Sequence, residues 1–229
     1  MGAVVLDIDD TLINPSRRMQ AIWHEVLGCD VPLEAVESLG QEQIFATYAS
    51  NEQKKSAPEF QRRFWDLVLC LDEFGVKLLE LDEPLPSAAE VVQEWSRDSD
   101  VLYVTGRTEN TRKLTSDELE GFGFPAINAR LFMLKVEDYA RVRGESPTGP
   151  TLAEAKSQLF SRVAAKQKII RVVDDFPDCF PIYRQFEVSD RIGFQTKRFA
   201  SVKYMERGAT RVIENWKDLR VSCFNNNLQ

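Results

Sequence analysis

A single histidine in 229 residues is the sharpest shortage in this sequence. It excludes multi-histidine metal centres and leaves any histidine-based nucleophilic triad resting on His24 alone. That residue sits inside "RRMQAIWHEVLG", a helical pattern, and reads as a surface or packing residue. Cysteine is also uninformative: Cys29, Cys70, Cys179 and Cys223 are scattered without a C-x-x-C pair, which speaks against a zinc site and a compact disulfide framework and for buried free thiols. No apolar run approaches the roughly 20 residues needed to span a bilayer. Basic residues do not prevail either. With 29 Lys and Arg against 36 Asp and Glu the net charge is −7, so polyanions are repelled and a long nucleic acid is not an expected partner. The opening "MGAVVLDIDD" has neither a basic n-region nor a small-residue cleavage site, and the expectation is a soluble, cytoplasmic chain without a membrane partner. Gly2 alone is weak support for a lipid anchor, because a strand starting at Ala3 buries that end.

What is present is an ordinary globular composition, 43% hydrophobic and 28% charged, long enough for one large domain or one domain with a sizeable insertion. Short apolar runs ending in polar residues recur at "AVVLD" (3–7), "VLYVT" (101–105), "LFML" (131–134) and "KIIRVVD" (168–174). Their shortness and β-branched content predict strands buried on both faces. Helical patterns lie between them: "SAAEVVQEWSRD", "TRKLTSDELEGFGF" and "LAEAKSQLFSRVAAK". The alternation predicts βαβ units in an α/β, doubly wound, Rossmann-like parallel sheet. A further helix, "CFPIYRQF", then "RIGFQT" and "ATRVIEN", extend it by one or two edge strands. The closing "NNNLQ" reads as a frayed tail.

One segment breaks the alternation. From Pro15 to about Glu83 only helical signals occur: "PSRRMQAIWHEVLG", with a Pro start and a Gly stop, "PLEAVESLG", "EQIFATYASNEQ" and "PEFQRRFWDLVLCLDEFG". The expectation is an all-helical domain, residues 15–83, inserted into a core made of 1–14 and 84–229 and closed by the turn-rich "LDEPLPS". Trp23, Phe64 and Trp65 fall at helical spacing and read as its core rather than as a substrate platform.

In an open parallel sheet, ligands gather outside the carboxyl ends of the strands. Asp7, Thr105, Lys135 and the pair Asp174 and Asp175 stand at the ends of the four predicted strands. If the extended backbone persists past Asp7, Asp9 points to the same side and the two carboxylates share a pocket. So much like charge needs a counterion, and a hard divalent cation on oxygen ligands, Mg²⁺ above all, supplies it. Crowding with like charges is also expected to raise the pKa of Asp9.

The set "VVLDIDDT", "VLYVTGR", a lysine, then "IRVVDDFPD", in that order, resembles the haloacid dehalogenase superfamily, phosphatase branch, and the inserted helices match that family's C1-type cap position. The resemblance implies Mg²⁺-dependent hydrolysis of a small phosphorylated metabolite through an aspartyl phosphate. Asp7 is then the nucleophile, and Asp9 the acid and later the base. Asp7, the backbone carbonyl of Asp9 and Asp175 hold the metal, supported by Asp174. Thr105 and the Gly106 N–H hold the phosphoryl oxygens.

For the active-site lysine, Lys156 is preferred because an antiparallel helix preceding the fourth strand begins at the carboxyl edge. Lys135 is the second candidate, and Lys166 and Lys168 fall at the wrong end of the strand. The reading "DDFPD" leaves open whether Asp174 or Asp175 is the direct ligand, with Asp178 as a helper. Arg107, in "TGR", either grips substrate or forms a salt bridge at a helix start; Arg17 and Arg18 face the cleft or only water. Three other functions stay in view. A 2-haloacid dehalogenase has no need of Asp9. A 3′-phosphatase for nucleic-acid ends is suggested by "TGR" and opposed by the acidic balance. A non-catalytic phospholigand-binding protein would keep the fold alone.

Overall fold

The computed structural model describes residues 2–125 and 130–220. The chain opens with β1 (Ala3–Leu6) and β2 (Ile13–Asn14), followed by six helices: α1 (Ser16–Leu27), α2 (Leu33–Ser38), α3 (Gln41–Tyr48), α4 (Asn51–Lys55), α5 (Ala57–Val68) and α6 (Glu73–Lys77). A 3₁₀ turn, Leu78–Leu81, leads to β3 (Glu83–Pro84). Then come α7 (Ala88–Trp95), β4 (Asp100–Thr108), α8 (Arg112–Gly121), β5 (Leu131–Leu134), α9 (Leu152–Ala164) and β6 (Ile169–Asp174). The chain continues through α10 (Phe180–Gln185), β7 (Asp190–Phe194), α11 (Ser201–Arg207), β8 (Arg211–Ile213) and α12 (Lys217–Arg220).

Six strands form one parallel sheet in the order β5-β4-β1-β6-β7-β8. The first strand is central, with the chain winding outward to β4 and β5 on one side and to β6, β7 and β8 on the other. The carboxyl ends of β1, β4 and β6 therefore flank the point where the winding reverses. Strand alternation explains the two-sided core. Val4 and Leu6 pack in one cluster with Val101, Tyr103 and Val173, whereas Ala3 and Val5 join Leu102, Val104 and Val172 in the other. Each such fully buried aliphatic contributes about 1.5–3 kcal/mol relative to exposure.

The segment between β2 and β3 is wholly helical, and it has its own hydrophobic cluster whose buried members all lie between Ile22 and Leu78. Gly28 ends α1 in the left-handed region (φ 64°), where its N–H meets the His24 carbonyl. Two predicted helices are in fact broken. "EQIFATYASNEQ" divides at Ala49, which is extended, and Ser50 opens α4 with a capping box to Gln53. "PEFQRRFWDLVLCLDEFG" divides at Cys70, whose φ is 52°, and Asp72 caps α6 through the Gly75 N–H. The antiparallel pairing of β2 with β3 joins the chain where it leaves the sheet to where it returns. Two-residue strands leave no periodicity to read, so "LDEPLPS" showed only its turn residues. The helices α11 and α12 also went unread, being short and flanked by polar residues.

Cys29, Cys70 and Cys179 are free thiols, of which Cys70 and Cys179 are buried and Cys29 is half-buried. His24 is exposed and pairs with Asp30. Among the described residues no helix is long and apolar enough to cross a membrane. Cys223 and the "NNNLQ" tail lie outside the described residues.

Candidate functional site

Directly after β1 the backbone turns. The Ile8 carbonyl accepts the N–H groups of Thr11, Leu12 and Ile13, and Asp10 takes a φ of 58°. The regular strand ends at Leu6, Asp9 makes an isolated bridge to Ile13, and the backbone reverses at Asp10. The turn brings Asp7, Asp9 and Asp10 to the wall of one cavity of about 280 Å³, together with Thr105, Gly106, Lys156 and Asp175. The turn is pinned from the opposite side of the chain, because the buried Trp216 donates its indole N–H to the Thr11 carbonyl at 2.7 Å.

Asp7 is buried, and its N–H is bound to the Val173 carbonyl, so β6 aligns it. Lys156 Nζ lies 2.7 Å from one Asp7 oxygen and 2.8 Å from Asp174. This lysine arrives from the first turn and a half of α9, which a Thr151–Glu154 capping box starts at the carboxyl edge of the sheet. Burial opposes its charge, but Asp174 and Asp7 outweigh burial and hold the ammonium well above the usual lysine range. Lys135, Lys166 and Lys168 are exposed and make no contact with these carboxylates. Burial pushes the Asp7 carboxyl up to about 7, Lys156 pulling it down and Asp174 adding to the rise.

Oxygens of Asp7, Asp174 and Asp175 lie within 4.8 Å of one another. Their partners differ. Asp174 is filled by protein donors: the Phe176 N–H at 2.8 Å on Oδ1, and the Tyr183 hydroxyl at 2.5 Å and Lys156 on Oδ2. The Asp175 carboxylate accepts no hydrogen bond among the described residues, while its N–H and carbonyl are fixed by Thr11 and Tyr204. Burial, with Asp10, Asp7 and Asp174 around it, holds the Asp175 carboxyl well above its usual range. An all-oxygen donor set short of positive charge fits a hard divalent cation, with Asp175 rather than Asp174 as the side chain left open to it. Asp178 lies apart, paired with Arg207 at 3.1 Å.

The environment of Asp9 overturns the expected rise in its pKa. Burial would raise it, but the guanidinium groups of Arg107 and Arg18 hold it well below the ordinary carboxylate range. Arg107 donates to both Asp9 oxygens, at 3.0 and 2.9 Å, to Asp82 at 2.7 Å and to Glu118. Four of its five N–H groups are thus spent on carboxylates, so of its two readings, substrate grip or salt bridge, the ion pairing is the one seen, with Asp9, Asp82 and Glu118 as partners. Arg18 is buried and bridges Asp9 at 2.7 Å and Asp82 at 2.9 Å, whereas Arg17 is exposed beside Glu83. Asp82 and Glu118 carried no sequence signal, since each completes the cluster only through the fold.

Thr105 is fully buried, its hydroxyl accepting the Arg107 N–H at 3.1 Å. Gly106 is closely packed: a Cβ there would stand 3.0 Å from the Tyr139 hydroxyl, which donates to the Gly106 carbonyl and would have to give way by a few tenths of an ångström. Trp23 and Phe64 are buried in the helical cluster as read. Trp65, on the same helix as Phe64, packs against that cluster too and also lines the cavity against Tyr139, with ring centroids 5.4 Å apart.

No family model matches the chain, and no curated protein does. Solved structures do. A haloacid dehalogenase-like hydrolase from Streptococcus pneumoniae superposes over 97% of this chain and 98% of its own at 16% identity, TM-score 0.59. A haloacid dehalogenase family hydrolase from Deinococcus radiodurans, solved with bound phosphate and sodium, covers 97% and 95% at 13% identity, TM-score 0.59. A Haemophilus somnus protein described as a predicted phosphoglycolate phosphatase covers 97% and 98% at 12% identity, TM-score 0.59. The chain has the fold of the haloacid dehalogenase-like hydrolases, an α/β core with a helical cap.

Proposed function

We propose that this chain, carrying that fold, is a Mg²⁺-dependent phosphomonoester hydrolase that works through an aspartyl phosphate on Asp7. The observation that carries the reading is the convergence of Asp7, Thr105, Lys156 and Asp175 from four separate elements onto one cavity. In this reading an Asp7 oxygen attacks phosphorus, the bond from phosphorus to the alcohol oxygen breaks, and the alcohol leaves with a proton from Asp9. Water then attacks the acyl phosphate, gives its proton to Asp9, and frees inorganic phosphate and Asp7. Lys156 holds Asp7 in line and offsets its charge, while Thr105 and the Gly106 N–H take phosphoryl oxygens. Asp7, Asp175 and the Asp9 carbonyl would hold Mg²⁺, which would supply charge stabilisation for the transferring phosphoryl group.

The arginines define the state from which Asp9 starts. Clamped by two guanidinium groups it is an ionised carboxylate, ready as a base, and it serves as the acid once one of those contacts opens and a proton is taken up. Arg18 stands on α1, in the helical segment, and Arg107 on the sheet. Separation of the two layers therefore releases Asp9 from one arginine and not from the other.

A panel of phosphate esters assayed in Mg²⁺ and again in chelator tests this function. Turnover with Mg²⁺ that chelation removes, and that Asp7→Asn abolishes while its circular dichroism stays unchanged, is the expected result. Turnover of 2-haloacids under chelation, with none of any ester, would replace it by dehalogenation.

A further inference from the structure

The cavity has two unlike halves. One is the carboxylate cluster with Thr105 and Lys156; the other is apolar, walled by Met19, Trp65, Val68, Leu69 and Phe199. A second cavity of about 160 Å³ runs on into the helical segment, sharing Met19, Trp65, Val68 and Arg198 with the first and otherwise bounded largely by side chains of the helical core such as Trp23, Ile44 and Phe64. The two cavities thus adjoin at Met19, Trp65, Val68 and Arg198, the first holding the reacting oxygens and the second lying in apolar surroundings.

Charge pairing decides what the cavities can accept. Every cation on the first cavity already has a carboxylate partner: Lys156 has Asp7 and Asp174, Arg18 and Arg107 share Asp9 and Asp82, and Arg198 has Asp10 at 3.2 Å. A second anionic group on the substrate would enter without a free counterion, at a high desolvation cost. Hydroxyl groups fare little better. Apart from the Asp175 carboxylate, which is left open to the cation, the fully buried polar side-chain atoms of this lining without a partner are, among the described residues, Thr108 Oγ1 and Trp65 Nε1. A polyhydroxylated alcohol needs many more partners than these two.

We propose that the leaving alcohol is apolar, an alkyl or aryl group lying along Trp65 toward the second cavity, with at most one acceptor atom for the Trp65 indole N–H. This rests on the phosphomonoesterase reading above. It excludes sugar phosphates and phosphocarboxylates as preferred substrates.

The test compares esters of primary alcohols, so that leaving-group chemistry is similar: n-hexyl phosphate against glycerol 3-phosphate, with 2-phosphoglycolate as the carboxylated case. Calorimetric titration of the full-length Asp7→Asn protein in Mg²⁺ is expected to show hexyl phosphate binding at least about tenfold more tightly than either. Wild-type kcat/KM is expected to favour hexyl phosphate over glycerol 3-phosphate by a similar factor. Trp65→Ala, and Val68→Thr as the milder change should the first not fold, are expected to bring that ratio toward one. Equal or tighter binding of glycerol 3-phosphate or phosphoglycolate would overturn the proposal, as would a ratio that neither variant moves. If the wild-type protein turns over no ester at all, the hydrolase reading fails, and the titration still reports whether the cavity prefers an apolar tail.

Discussion

Lys156 shows how much one side chain can hold together. Its ammonium is the buried positive charge between Asp7 and Asp174, and both carboxylates were drawn inside by the strands that carry them. Lys156→Met leaves two acids facing each other without a counterion, a change that breaks buried ion pairs and costs about 3–5 kcal/mol. Urea unfolding in chelator is expected to show that loss, and Mg²⁺ is expected to return part of it by standing in for the missing charge. A variant as stable as the wild type would remove Lys156 from the structural role described. The sequence singled out this residue from strand direction alone. It could not single out Arg107's real partners, because the carboxylates of Asp82 and Glu118 come from elements 25 and 11 residues away in the chain.

At the scale of elements, the breaks between helices matter as much as the helices. The left-handed Cys70 ends the run that begins at α5, and Asp72 then starts α6 by accepting the Gly75 N–H at 2.7 Å while Arg63 pairs with it. That backbone hydrogen bond, with burial opposing and Arg63 assisting, holds the Asp72 carboxyl below its usual value of 3.8. The sign follows. A depressed carboxyl pKa contributes stability that is present above the unfolded value and is lost as pH falls through the folded one. Asp72→Ala is therefore expected to cost about 1 kcal/mol near neutral pH. Its difference from wild type is expected to shrink as the pH falls from the unfolded-state value through the lower folded-state one, beneath which Asp72 is protonated in both states. Chemical denaturation across that range measures it, and a difference independent of pH would assign the loss to helix propensity instead of the cap.

At the scale of the whole molecule, the helical segment and the sheet meet through polar groups. Arg143 pairs with Asp66 at 2.8 Å, Asn110 donates to the Leu69 carbonyl at 2.9 Å, and the buried set of Arg18, Asp82, Arg107, Asp9 and Glu118 crosses the junction. The junction is not purely polar, because Leu69 of the helical segment is buried in the sheet's hydrophobic cluster and Trp65 packs against both clusters. Asp82 is the member that ties both arginines together. Asp82→Ala is expected to destabilise the chain by about 1–3 kcal/mol by leaving the Arg18 Nε–H and one Arg107 N–H without their buried acceptor. It is also expected to separate the unfolding of the helical segment from that of the sheet. Tryptophan fluorescence and far-ultraviolet circular dichroism, followed together in urea, would then report different midpoints; coincident curves would show that the apolar contacts alone couple the two parts.

The order of β1, β4, β5 and β6 with the helices α7, α8 and α9 between them, the parallel winding and the gathering of Asp7, Thr105, Asp174 and Asp175 at one edge were legible in the residues themselves. Buried strands announce themselves by short β-branched runs, and parallel winding sends every carboxyl end the same way. What the tertiary structure alone decided is who neutralises whom. It pairs Asp9 with two arginines instead of with another acid, fills Asp174 while leaving Asp175 open, and turns Trp65 toward the cavity while its neighbour Phe64 stays in the helical core. Those outcomes depend on distances between elements far apart in the chain. Electrostatic energy and close packing are set by such distances, and local sequence pattern carries no record of them.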